Sequence, residues 1–223
     1  MSDLLKVGPI WGGTGTLTPF TANQSGAQRA ANAHAQFMDA TLGGRVYSFG
    51  ISNTALAAAN AIATGVTATA QPVIGLWNPS TSGVNLVVWQ AIITHTAVAN
   101  SAVSPGGFMW LVNSAQNAIT TGSVPFNTKT LIQAGSVAKA FAMATALTGM
   151  SGSLSVLRPA AIGSINAAGP ATAIHQAVTP NIEFVEGSLI VPPGGVLAIM
   201  GQVSTTTVSL NAGIVWEEVP NLI

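Results

Sequence analysis

The clearest pattern in the chain lies near its C-terminal end, where Val208, Leu210, Ala212, Ile214 and Trp216 alternate with Thr207, Ser209, Asn211 and Gly213. A strand turns successive side chains to opposite faces, so this period predicts a half-buried antiparallel strand with one apolar and one polar side. Upstream, the apolar runs Glu183–Val191 and Val196–Val203 flank Pro192-Pro193-Gly194-Gly195. The prolines fix φ and lack N–H donors while the glycines admit positive φ, so the chain must turn there. The corner is longer than the tightest hairpin loop, which predicts a wide turn between the two strands.

The same reading extends back through the chain. Val84–Thr96 is the longest apolar run, with Val84, Leu86, Val88 and Ile92 on one face and Val87, Trp89, Ala91 and Ile93 on the other, so both faces are expected to be covered. Phe108–Val112, after the Ser104-Pro105-Gly106-Gly107 corner, reads as a further buried strand. Val46–Ser52 is a shorter one, and Leu154–Leu157 another that ends before Pro159. Thr67–Trp77 reads as a strand interrupted at Pro72, which assigns it to an edge or a bulge. Asn78-Pro79-Ser80-Thr81-Ser82-Gly83 is a turn cluster. Thr54–Thr64 fits helix or loop, and Lys139–Thr148 fits helix or strand. Residues 113–150 have no stable period, and Ala160–Pro180 reads as a long loop with strand pieces.

Residues 1–45 differ from the rest. Gly8-Pro9 and Gly12-Gly13-Thr14-Gly15 are irregular, with Trp11 and Phe20 as isolated anchors. A short helix is expected next, capped by Ser25, carried by Ala27, Ala30, Ala31, Ala33, Ala35, Phe37 and Met38, and ended by Gly43-Gly44. The chain thus divides into an N-terminal arm, 1–45, and a domain, 46–223. The expected fold class is all-β, a β-sandwich. Roughly eight strands with wide corners fit a double-sheet jelly roll better than an up-and-down barrel.

Composition changes the picture in one respect. Hydrophobic residues make up 48% of the 223 residues, yet only 5% are charged, against roughly 25% in ordinary globular domains. Six basic and six acidic side chains give zero net charge, so a free monomer would be poorly solvated. Permanent burial of surface in an assembly accounts for this. No basic stripe points to nucleic acid. The chain has no cysteine, so disulfide frameworks and cysteine metal sites are out. The start, with Asp3 and no apolar h-region, predicts no secretory signal. No charge falls between Arg45 and Lys129, but Gly, Asn, Gln, Thr and Pro interrupt every apolar run there, so no membrane span is expected.

Candidate chemistry is sparse. His34, His95 and His175 are dispersed without a metal-ligand spacing. Asp3 and Asp39 are the only aspartates, which leaves a Ser-His-Asp arrangement poorly supplied. Glu217 and Glu218 alternate across a strand and face opposite ways, and with Glu183 and Glu186 they read as solvated edge charges. Gly12-Gly13-Thr14-Gly15 lacks a following GK[ST], so it reads as arm rather than phosphate loop. Trp77, Trp89 and Trp110 sit in apolar strands, where core or subunit packing is a better account than a sugar platform. Asn23-Gln24-Ser25 matches a glycosylation triplet only by chance. No catalytic, cofactor-binding or metal-ligating residue is assigned, and no cofactor is expected.

The Gly/Thr-rich arm at 8–20, the turn Leu76–Leu86, the Val191-Pro192-Pro193-Gly194-Gly195 corner and the terminal strand ending Val215-Trp216-Glu217-Glu218 together resemble tailed-bacteriophage virion proteins. The likeness is to jelly-roll capsid decoration or cement proteins and to fibre heads. It implies a homotrimer about a threefold axis, with N-terminal segments gripping neighbours, the major capsid protein or other virion proteins. It also implies a place on the phage particle surface after synthesis in the host cytoplasm. The leading expectation is therefore a structural virion protein without enzymatic activity. The alternative is a receptor- or glycan-binding jelly-roll module of a fibre or tail. A β-sandwich enzyme such as a depolymerase is disfavoured by the scarcity of carboxylates and histidines.

Overall fold

The computed structural model describes residues 21–22, 28–29, 38–56, 60–62, 65–98, 107–160, 181–202 and 208–221. Two units are distinguished, Met1–Asp39 and Ala40–Ile223. In the first, β1 (Thr21–Ala22) pairs antiparallel with β2 (Gln28–Arg29). Extended backbone at Gln28 corrects the expectation of a helix running from Ser25, because pairing with Ala22 supplies the hydrogen bonds a helix would have used. The helix found, α1, is only Met38–Leu42. It stops where the glycine pair predicts, with Gly44 at φ +71° donating to the Thr41 carbonyl. Trp11, Phe20, Gly12-Gly13-Thr14-Gly15 and the 161–180 loop lie outside the described residues.

The second unit is built from β3 (Val46–Ala55), β4 (Ile74–Trp77), β5 (Val84–Val98), β6 (Phe108–Asn113), β7 (Phe126–Asn127) and β8 (Lys139–Ala142). It continues with β9 (Ser155–Pro159), β10 (Asn181–Val191), β11 (Val196–Gly201) and β12 (Val208–Pro220). They form two antiparallel sheets, ordered β10-β5-β12-β3-β7 and β8-β4-β11-β6-β9. The architecture is a β-sandwich. Its pairings nest like one rolled hairpin: β3 with β12, β4 with β11, β5 with β10, and β6 with β9. The Pro192–Gly195 corner carries the chain from the first sheet to the second, which is why it is wider than a hairpin turn. Gly194 takes φ +85° there, and the Gly195 N–H closes the turn on the Pro192 carbonyl.

The inner core lies between the sheets. Leu210, Ala212, Ile214 and Trp216 of β12 point into it, as their alternation predicts, and meet Trp110 of β6 and Ile199 of β11. Each fully buried aliphatic side chain here stabilises the fold by about 1.5–3 kcal/mol. On β5 the alternation does not hold through. Leu86 and Val88 face the core, and then Ala91 and Ile93 do. The phase flips because β5 bulges: Trp216 pairs with Val88 but Val215 with Gln90, leaving Trp89 as an extra residue. The expectation of one uninterrupted alternation is thus corrected, with the flip at the buried Trp89.

Two other expectations change. Pro72 does not sit in an edge strand. The ladder begins at Ile74, β4 is internal to its sheet, and residues 67–73 turn ahead of it, with Ala70 donating to the Thr67 carbonyl. Pro159 ends β9 rather than following it, a position allowed because β9 is an edge. The ambiguous 139–148 stretch resolves into the short β8 and turns.

The insertion between β6 and β9 has a clear role. With Ile62, Val66, Ala68 and Ala70, the parts of it around Ile119 and from Leu147 to Leu154 lie over the outside of the second sheet. Ile119, Leu147, Met150 and Leu154 close with Ala70 on Leu111, Phe141, Val196, Ala198 and Met200, forming a second core. Buried asparagines hold these charge-poor segments. Asn60 donates to the Gln71 and Met143 carbonyls, and Asn113 to those of Ser151 and Ser153. Asn117 donates to the Gly194 carbonyl. A neutral amide satisfies backbone without the desolvation cost of a charge.

Candidate functional site

The outward face of the first sheet is different. Residues that pair across antiparallel strands share a face, so the ladder defines its rows. Phe126 pairs with Ser48, Ser48 with Val215, Val215 with Gln90, and Gln90 with Phe184. This row crosses all five strands, ~19 Å at about 4.8 Å per strand. It ends in an aromatic ring at each edge, Phe126 at 45% exposure and Phe184 at 67%. One neighbouring row is Gly50, Gly213, Ile92 and Ile182; the other is Val46, Glu217, Val87 and Ile190. Ile182 and Ile190 are also exposed. Neither core cluster includes this face. Its one charge in these rows, Glu217, is neutralised by Arg45 at 3.0 Å.

Both edges of the face are shaped. On β10, the pairing jumps from Phe184 opposite Gln90 to Leu189 opposite Val88. The extra residues form a bulge in which Glu186 (φ 49°) and Gly187 (φ 80°) take left-handed backbone. Opposite, β7 runs into a turn pinned by Asn127, whose side chain donates to the Gly44 carbonyl and accepts from the Lys129 and Thr130 N–H groups.

Glu218 holds the following loop. β12 is a central strand, and the inward phase of Leu210 to Trp216 continues to Glu218, which is 8% exposed. Its carboxylate accepts from Ser136 Oγ at 2.6 Å and from the Val137 and Ala138 N–H groups at 3.1 and 3.4 Å. Burial pushes its pKa up; the hydrogen bonds from Ser136 and from the Ala138 and Val137 N–H groups pull it partly back. Beside it, Tyr47 stacks on Trp216 with centroids 6.2 Å apart and donates to the Gly135 carbonyl at 3.0 Å. Burial raises the Tyr47 phenol, and the Glu218 charge raises it further.

The solvated-edge reading of these glutamates is therefore corrected for Glu217, Glu218 and Glu183. Glu183 is buried at the other side of the sandwich, where it accepts from Trp110 Nε1 at 2.9 Å and pairs with Arg158 at 2.9 Å. Glu186 alone is exposed. Glu217 and Glu218 do face opposite ways, so they form no carboxylate pair. The missed signal was the inward phase of β12, which runs unbroken to Glu218.

The remaining candidates do not converge. Trp110 is in the inner core, Trp77 packs against the outer one, and Trp89 is buried at the β5 bulge. His95 lies in β5 opposite Leu210, and Asp39 is in α1. His34, His175, Asp3 and the Asn23-Gln24-Ser25 triplet lie outside the described residues. Among the described residues no three His, Asp or Glu side chains come together as a metal site, and no helix is long and apolar enough to cross a membrane. Compared with family models, curated proteins and solved structures, the chain matches none.

Proposed function

We propose that this chain is a structural virion protein, a capsid decoration or cement subunit that acts as a homo-oligomer. In this reading the sandwich is a jelly roll, and the outward face of its first sheet is the contact between copies. The nested pairings of β3 with β12, β4 with β11, β5 with β10 and β6 with β9 support the jelly roll, since they are what a rolled double Greek key produces. An arm at residues 1–45 that grips neighbouring virion proteins belongs to the same proposal.

The observation that carries the reading is the asymmetry of the two sheets. Among the described residues, part of the insertion covers the second sheet, whereas the outer face of the first keeps Phe126, Ile182, Phe184 and Ile190 exposed and carries one charge pair, Arg45 with Glu217. Exposed apolar patches of this kind mark association surfaces. With six acidic and six basic residues in all, little charge is left to solvate the monomer. The test is to separate phage particles from a lysate by density gradient and probe the fractions for this chain. It should band with the particles in stoichiometric amounts. Recovery only in the free-protein fractions would refute a virion role.

A further inference from the structure

The two edges of the open face differ in charge as well as position. Phe126 is followed, three residues on, by Lys129, whose Nζ meets only the Leu42 carbonyl among the described residues. Phe184 is followed by the exposed Glu186 in the β10 bulge. Arg45 is paired with Glu217, Arg158 with Glu183, and Lys139 lies in β8 of the other sheet, so among the described residues Lys129 and Glu186 remain as charges at the edges of the first sheet, opposite in sign. Each edge is thus an aromatic ring next to one charge, positive on one side of the sheet and negative on the other.

We infer that the occupant of each edge is the opposite edge of a second copy, the Phe126/Lys129 edge of one subunit packing against the Phe184/Glu186 edge of the next. The inference rests on the proposed homo-oligomer and specifies its geometry. A twofold contact made edge to edge would bring like edges together, Lys129 facing Lys129 or Glu186 facing Glu186, and would repel; one made face to face would pair only two copies and stop at a dimer. A head-to-tail contact brings Lys129 to Glu186 and, if its rotation closes, builds a ring. The contact is made by side chains rather than by continuing the sheet. The left-handed backbone at Glu186 and Gly187 breaks the β10 ladder, and β7 offers only Phe126 and Asn127. The apolar rings supply the adhesion, and the single charge pair sets direction.

Absence of native cysteine makes a clean test possible. The variants Lys129→Cys, Glu186→Cys and the double variant keep both phenylalanines and are treated with a short bis-maleimide. The two positions lie on opposite edges of a sheet ~19 Å wide, so such a linker does not join them within one chain. The double variant should give covalent species beyond the dimer, and each single variant none. Covalent dimers from either single variant, or a ladder that stops at dimer in the double variant, would overturn the head-to-tail geometry. So would a wild-type oligomer in light scattering whose double variant gives no product. A wild-type monomer in light scattering would instead remove the homo-oligomer beneath it. Charge reversal gives a second readout. Lys129→Glu and Glu186→Lys should each raise the dissociation constant several-fold, and the double reversal should restore it. Failure to restore it with all three variants folded would count against the contact.

Discussion

Trp110 on one sheet donates its indole N–H to the carboxylate of Glu183 on the other, 2.9 Å away, and Arg158 closes the same carboxylate from β9. The bond crosses the sandwich where a buried acid would otherwise be costly. Trp110→Phe should lower stability by about 1–3 kcal/mol, from the weakened solvation of Glu183 and lost packing. Glu183→Ala should cost a similar amount, about 1–3 kcal/mol, because the buried Trp110 N–H loses its acceptor while the partly exposed Arg158 is left to water. Urea titrations followed by tryptophan fluorescence give both values.

Asn78 joins two parts of the chain, donating to the Val84 and Val191 carbonyls at 2.7 and 2.9 Å. Asn78→Ala leaves both acceptors without their donor and should destabilise by about 2–4 kcal/mol. Asn78→Asp should be at least as damaging, since it sets a carboxylate against two carbonyl oxygens. The denaturation midpoint of each variant, compared with wild type, checks the order.

Gly149 has φ +93°, and a Cβ there would collide with the Ala118 carbonyl. Gly149→Ala should cost roughly 1–3 kcal/mol through strain and overpacking. It should loosen the cover on the second sheet before it affects the inner core. Amide exchange should therefore accelerate in residues 114–122 and 144–154 while β5 and β12 stay protected.

Glu218 sets a pH dependence. Its folded-state pKa is raised above the ordinary 4.5, chiefly by burial. The folded chain then keeps this proton to higher pH than the unfolded chain does. The associated stability is fully present below the unfolded value and is lost as pH rises through the folded one. Tm should accordingly fall between pH 4.5 and neutrality by more in wild type than in Glu218→Gln. Equal slopes in the two proteins would contradict the assignment.

How much of this was legible depends on what each residue had to contrast with. β12 was readable because Leu210, Ala212, Ile214 and Trp216 alternate with small or polar residues. The Pro192–Gly195 corner was readable because its backbone chemistry allows little else. On β5 both sides are largely apolar, so the flip at Trp89 was marked only by the single polar residue beside it, Gln90. Glu218 was misread because a charge near a strand end ordinarily meets water, whereas β12 is central and Ser136 reaches it from a distant segment. The cover over the second sheet is drawn from Ala-, Thr- and Ser-rich sequence whose order comes from asparagine hydrogen bonds to remote carbonyls, and no local period encodes such contacts. The open face was hinted at by the charge deficit, but its rows exist only once five strands are in register.

The central claim is that this open face joins copies of the chain. Light scattering of wild type and of Phe184→Asp, each at low and high salt, tests it most directly. Phe184 is exposed in the single chain, so the substitution should leave the fold and its circular dichroism unchanged. Wild type should be an oligomer of constant mass at both salt concentrations, since apolar contacts are little affected by screening. Phe184→Asp should be a folded monomer at the same concentration. A monomeric wild type, a mass that falls as salt rises, or a variant that assembles like wild type would contradict the account.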